Sequence, residues 1–237
     1  MNLANFAGLL PDIPRWVETR GMLLSGRGVV LGAVDETSHD FVVRGLRSRL
    51  ISVVGHSLPR YLHDAVVRSE AGVEVLATPE NDEHVSTILK DWHRSPAILH
   101  QLAQPFHFQI RKDPTVRFIE QHELHPLRND FPDLVDELLE ALEFTQVAAV
   151  IVNDRPVSFC YAGSETETLW DISIDTLPTH RQRCYAQYCV SFLIDFMARR
   201  GKQPVWGAEE SNIASLNLAR KLGFQPVDRL LVFRKSD

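Results

Sequence analysis

The sequence predicts an α+β protein in which strands lead and helices follow. Short apolar runs of β type alternate along the chain with segments of helical periodicity. The 237 residues suffice for one large domain or two modest ones. With 44% hydrophobic and 24% charged residues, 12 Gly and 13 Pro, the chain has a globular balance and is not collagen-like, disordered or a coiled coil.

Taken in order, Pro11 to Trp16 marks a helix start. Gly28 to Val34, Phe41 to Val43, Leu50 to Val54, Val73 to Ala77 and Ala97 to Leu102 read as strands. Leu58 to Ser69 and Glu80 to Trp92 read as helices, the second opened by Thr78 as a cap with Pro79 behind it. The pattern changes between Gln104 and Pro114, so we expect a smaller α/β domain over 1–105 and a second domain over 113–237. In the second, Val116 to Glu123 reads as a strand and Leu134 to Leu142 as an amphipathic helix. Gln146 to Val152 and Pro156 to Ala162 form a hairpin around Asn153-Asp154-Arg155. Then follow strand Leu169 to Asp175, a helix from about Arg183 to Arg200 ended by Gly201, and strand Pro204 to Gly207. Helix Asn212 to Leu222, ended by Gly223, and strand Leu230 to Phe233 close the chain.

A net charge of -6 and a pI near 5.9 argue against a nucleic-acid partner held by a basic field, while leaving room for a local anion site. The longest apolar run, Val147 to Val152, is far short of the ~20 residues of a membrane span. Met1 to Leu10 has no Lys or Arg before its apolar stretch and so lacks the pattern of a signal peptide. A cytoplasmic protein without a membrane partner is the expectation. Cys160, Cys184 and Cys189 have neither CxxC nor zinc-finger spacing and are expected as free thiols. His122-Glu-Leu-His125 is not HExxH, the run His93, His100, His107 is broken by Pro96 and Pro105, and no metal is expected.

The most informative segment runs from Leu169 to Ala186. A strand enters a short loop carrying Arg181 and Arg183, and the loop opens a long apolar helix. Amides at a helix start lack intrahelical partners and sit at the positive end of the dipole, so they can hold a pyrophosphate. A solvated turn is the plainer alternative for the two arginines. About 20 residues after this helix begins comes Val205-Trp-Gly-Ala-Glu-Glu-Ser-Asn212-Ile-Ala-Ser215, leading to Leu222-Gly223-Phe224.

This second segment resembles the closing motif of the GNAT N-acetyltransferase superfamily, in which a strand delivers an Asn, a Ser or Ala follows three residues later, and the helix ends in Leu-Gly-Phe. The first resembles the family's acyl-CoA loop, Arg/Gln-x-x-Gly-x-Gly/Ala, with Arg181, Cys184 and Ala186 at its defining positions. The resemblance covers about Val116 to Phe233; residues 1–105 would be a degenerate second copy or a lid. It implies a GNAT acyl-CoA acyltransferase fold, a mixed, twisted and splayed sheet with flanking helices. It also implies acetyl-CoA as co-substrate, direct attack by a substrate amine, and a small-molecule amine as acceptor.

On that resemblance Ile174, Asp175 and Thr176 contact the pantetheine through the main chain. Arg181, Gln182, Arg183, Cys184, Tyr185 and Ala186 form the phosphate loop, and Asn212 and Ser215 line the cofactor cleft. Asp171 stands where several members carry an acidic base, with Glu209 and Glu210 as second candidates; a surface carboxylate is the plain alternative for each. Cys184 replaces the usual Gly, and Ala219 the tyrosine that protonates the departing thiolate in many members. Those departures keep open a CoA-binding module without transfer activity. Acylation of a protein amine also stays open, as does an oligomer.

Overall fold

The computed structural model describes residues 2–103 and 114–235. The break in pattern expected between Gln104 and Pro114 therefore lies almost wholly outside the described residues, as does His107. Helices α1 (Leu3–Leu9) and α2 (Val17–Leu24), with a 3-10 turn at Pro14–Trp16, precede strands β1 (Gly28–Leu31), β2 (Phe41–Gly45) and β3 (Leu50–Val54). Helix α3 (Pro59–Val67), β4 (Glu74–Ala77), α4 (Asp82–Ile88) and β5 (Trp92–Leu102) follow. After the undescribed stretch come β6 (Thr115–Phe118), α5 (Pro132–Leu142), β7 (Ala148–Val152), β8 (Arg155–Glu165) and β9 (Leu169–Thr176). Helix α6 (Tyr185–Ala198), β10 (Gln203–Glu209), α7 (Ile213–Lys221) and β11 (Phe224–Lys235) complete the described chain.

The strands form one open sheet in the order β1-β2-β3-β4-β11-β5-β10-β9-β8-β7-β6. The connectivity repeats itself. Antiparallel β1-β2-β3 leads through α3 to parallel β4, then α4 and β5; antiparallel β7-β8-β9 leads through α6 to parallel β10, then α7 and β11. The last strands are exchanged, because β11 inserts beside β4 while β5 pairs with β10. Between them β5 and β11 pair along nearly their full lengths, from Phe224↔Leu102 to Lys235↔Trp92.

Strand alternation sorts the side chains onto two faces. One face carries Trp170, Trp206, Val75, Ile51 and Phe233 under α3, α4, α6 and α7. The other carries Ser52, Leu76, Leu99, Val205 and Asp171 under α2 and the turn before it, with α5 on the same side. The largest core lies around α5, α6 and α7 against β7 to β10.

Several boundaries differ from the sequence expectations. The run Glu80 to Trp92 is a 3-10 turn at Pro79–Asn81 and then α4, and β5 begins at Trp92, five residues before Ala97, because β11 offers it a partner that far. β11 is likewise longer than Leu230 to Phe233; Pro226 and a register shift before Asp228 hide its first half. Val116 to Glu123 is a strand only to Phe118. Glu120 and Glu123 then form a reciprocal capping box that starts a 3-10 segment, Gln121–Leu127, on which His122 and His125 are exposed. Helix α1 has too few apolar repeats to be read from sequence. Among the described residues no helix is long and apolar enough to cross a membrane.

Candidate active site

Strands β9 and β10 pair only at Leu169↔Gln203, Trp170↔Pro204 and Asp171↔Val205, after which they part, although β9 continues to Thr176 and β10 to Glu209. Residues 172–176 thus have β8 on one side and, among the described residues, no strand on the other. Ile174, Asp175 and Thr176 lie in this splayed stretch.

Beyond β9 the chain passes through a 3-10 turn, Pro178–His180, into the loop of Arg181 to Cys184. Arg181 is tied back by its Nε, which donates to the Thr176 carbonyl at 3.1 Å, while Arg181, Gln182, Arg183 and Cys184 are exposed. Gln182 and Cys184 both adopt left-handed backbone, with φ of 63° and 62°. Among the described residues the amides of 182–187 donate to no backbone carbonyl; the first helical bond is Tyr188 N–H to the Cys184 carbonyl. Consecutive unpaired amides at the start of a 14-residue helix, with two exposed arginines beside them, form a cradle suited to a pyrophosphate. Tyr185 and Ala186 sit on the first turn of α6, half-buried.

Asn212 caps α7, its Oδ1 accepting from the Ser215 amide at 3.1 Å. Its exposed side chain also lines a cavity of about 250 Å³, together with Gly207, Glu209, Glu18 and Asp171. Ser215 is engaged elsewhere, its Oγ accepting from the Trp206 indole at 2.9 Å. Ala219 is fully buried in the main core.

A larger cavity, about 770 Å³, lies on the α2 and α5 side of the sheet. Eight carboxylates line it (Glu18, Glu70, Glu74, Asp133, Asp136, Glu137, Glu140 and Asp171) against Arg27, Arg47 and Arg49. Tyr161 donates to Glu137 at 2.5 Å, and burial raises its phenol's pKa. Asp171, Ser173 and Asp175 alternate along the same face of β9. Burial, aided by Glu137 and opposed by Arg181, pushes the Asp175 carboxyl up to about 6. Asp171 is raised well above the usual carboxylate range, first by burial and then by the charge of Glu18.

The candidate bases therefore separate. Asp171 reaches both cavities and has no cation paired with it among the described residues. Glu209 lines the smaller cavity but is ion-paired to Arg234 at 2.6 Å. Glu210 lines neither and pairs with Arg229 at 3.1 Å. Sequence reading missed Glu18, which borders both cavities. Glu18 belongs to α2, 153 positions before Asp171, and no local motif marks it.

A family model described as GNAT acetyltransferase matches residues 100–233, more than half the chain. The chain belongs to the GNAT acetyltransferase family. It is accordingly an acyl-CoA-dependent N-acetyltransferase, and the family's acyl donor is acetyl-CoA. No curated protein matches it by sequence. Among solved structures, a GCN5-related N-acetyltransferase-like protein from Streptococcus suis superposes with a TM-score of 0.69 at 17% identity, covering 99% of this chain and 97% of the other. A GNAT-family structure from Novosphingobium aromaticivorans gives 0.65 at 17% identity, covering 95% and 98%. One from Colwellia psychrerythraea gives 0.61 at 12%, covering 99% and 94%. At these identities the likeness is one of fold, and it extends over the N-terminal half of this acetyltransferase as well.

Proposed function

We propose that this acetyltransferase transfers an acetyl group from acetyl-CoA to a primary amine of a small molecule. The observation that carries the reading is the splay of β9 from β10 just after Asp171, with the carboxylate-rich cavity at Asp171 and the amide-lined loop following the far end of β9. Acetyl-CoA supplies the activated thioester. Residues 182–187 with Arg181 and Arg183 would hold its phosphates, and the main-chain edge of Ile174 to Thr176 that faces away from β8 its pantetheine. Asn212, whose Nδ2 remains available, would meet it from the other side of the splay.

The acceptor would enter through the larger cavity, where carboxylates outnumber guanidinium groups eight to three and favour a cation. An aliphatic ammonium has a pKa of about 10.4 and must lose a proton before its nitrogen can attack. Asp171, which lines both cavities, would take that proton. As the C–N bond forms and the C–S bond breaks, the second proton leaves the nitrogen and the CoA thiolate takes one up. With Ala219 buried, departure relies on the acidity of the thiol itself, comparable to a cysteine at about 8.5. Cytoplasmic residence and action without nucleic acid or membrane belong to the same reading.

Thiol release from acetyl-CoA with a panel of small primary amines tests the proposal, with mass spectrometry of the products. We expect release that depends on the amine and a mass gain of one acetyl group on it. Acetyl-CoA binding without release would leave a binding module, and acetylated protein without acetylated small amine would move the acceptor to a protein.

A further inference from the structure

The two cavities share four residues: Glu18, Leu50, Glu74 and Asp171. Three are carboxylates, and their surroundings distinguish them. Glu74 is held by Arg234 Nε at 2.7 Å. The same guanidinium reaches Glu209, and Arg15, one turn before Glu18, is committed to Asp228 at 2.7 Å and Glu80 at 3.2 Å. Arg49 lines only the larger cavity and is exposed. Glu18 and Asp171 are left with no hydrogen bond or ion pair to any side chain among the described residues.

Helix α2 is pinned so that Glu18 stays over the sheet. Arg15 anchors its start, and Asp12 accepts from the Thr166 and Thr168 hydroxyls at 2.6 and 2.7 Å. Thr19 bonds Ser52 across the interface at 2.6 Å, and Arg20 pairs with Glu167 at 2.6 Å. Gly21, on the face of Glu18, lies against β8 so closely that a Cβ would meet Ser164 Cβ at 2.9 Å. A glycine is needed there for the helix to approach.

We propose that Glu18, supplied by the N-terminal helix, acts with Asp171 as the base that deprotonates the acceptor amine where the two cavities meet. The inference rests on the transfer reading above. One ammonium proton passes to the carboxylate of the pair, the neutral amine attacks the thioester, and the pair returns its proton to solvent after product leaves. The electrostatics agree with the geometry. Burial, followed by the charge of Glu74, lifts Glu18 to about 7, and burial, followed by the charge of Glu18, raises Asp171 well above the usual carboxylate range. Buried carboxylates that repel one another with no cation beside them resist full ionisation, so a carboxyl of the pair can both take and return a proton.

The test uses the full chain as wild type, Glu18→Gln and Glu18→Asp. Carbon-detected NMR of the side-chain carboxyls follows Glu18 across pH 4 to 9, calorimetry measures acetyl-CoA binding, and thiol release is measured with the amine the wild type turns over fastest. We expect Glu18 to titrate near neutrality. Glu18→Gln should lose about 10²-fold in turnover, together with the neutral limb of its pH-rate profile, while keeping acetyl-CoA affinity and a melting temperature at or above wild type. Glu18→Asp should recover part of the rate. Titration in the ordinary carboxylate range, or a Glu18→Gln enzyme with wild-type rate and pH profile, overturns the proposal. A wild type that binds acetyl-CoA but releases no thiol with any amine removes the transfer reading and the base with it, whereas failure of Glu18 alone leaves transfer through Asp171 standing.

Discussion

Cys184 shows how a single residue can be legible in chemistry and illegible in conformation. Its place in the loop that opens α6, the proposed phosphate loop, was readable from Arg181 and Ala186 around it, but its φ of 62° was not. The family's usual glycine suits that left-handed backbone, which costs an L-residue about 1–2 kcal/mol. Replacing Cys184 by Gly should therefore stabilise the protein, reversing the small loss that flexibility alone would suggest. Thermal unfolding should rise by about 2–4 °C with acetyl-CoA affinity kept or improved; a fall would mean that the thiol makes a packing contribution larger than the strain. Cys184 is also exposed, whereas Cys160 and Cys189 are buried and their thiols are raised in pKa by burial. Iodoacetamide should label Cys184 alone in the folded protein and more slowly with CoA bound, and equal labelling with and without CoA would place the thiol away from the cofactor.

At the scale of elements, the loop before α6 and the cap of α7 were readable because each is a short, local motif: arginines before an apolar helix, and an Asn three residues before Ser215. Helix α2 was not. It buries Val17, Met22 and Leu23 and carries Glu18 and Arg20 toward partners more than 140 positions away, so nothing near it in sequence announces its role. Arg15→Ala should release the start of this helix by breaking a half-buried bidentate pair with Asp228, at a cost of about 1.5–3 kcal/mol for hydrogen bonds between charged groups. Turnover should fall by more than acetyl-CoA affinity, because Glu18 moves while the phosphate loop does not; equal losses in both would contradict that separation. The Glu18 pair also sets a pH dependence. A carboxyl whose pKa is raised on folding stabilises the folded state below its unfolded pKa, about 4.3, and loses that contribution as pH rises through about 7. Wild-type melting should accordingly decline over this window relative to Glu18→Gln, and parallel curves would show that Glu18 titrates normally.

The whole molecule is a sheet in which two similar strand-and-helix sequences have exchanged their last strands. Alternation and turn residues revealed most strands and helices one by one, but pairing between β4 and β11 or β5 and β10 is a relation between distant segments and leaves no local trace. The exchange has a consequence for chemistry, because it brings α2 from the first half over the splay of the second. The two halves differ at the site where CoA would sit. In the first, α3 begins with Pro59, which has no amide hydrogen, and its approach is filled by the chain's own contacts: Asp40 accepts from the His56 amide, Asn81 donates to the Gly55 carbonyl, and the His84 ring bonds the Ser57 carbonyl at 2.8 Å. In the second, residues 182–187 keep their amides unpaired. Peptide-resolved amide hydrogen exchange with and without acetyl-CoA tests this most directly. Slowed exchange is expected across 182–187 and 172–176 with no change over 54–60; protection at 54–60, or saturating acetyl-CoA with no protection at 182–187, would contradict a cofactor site confined to the second half.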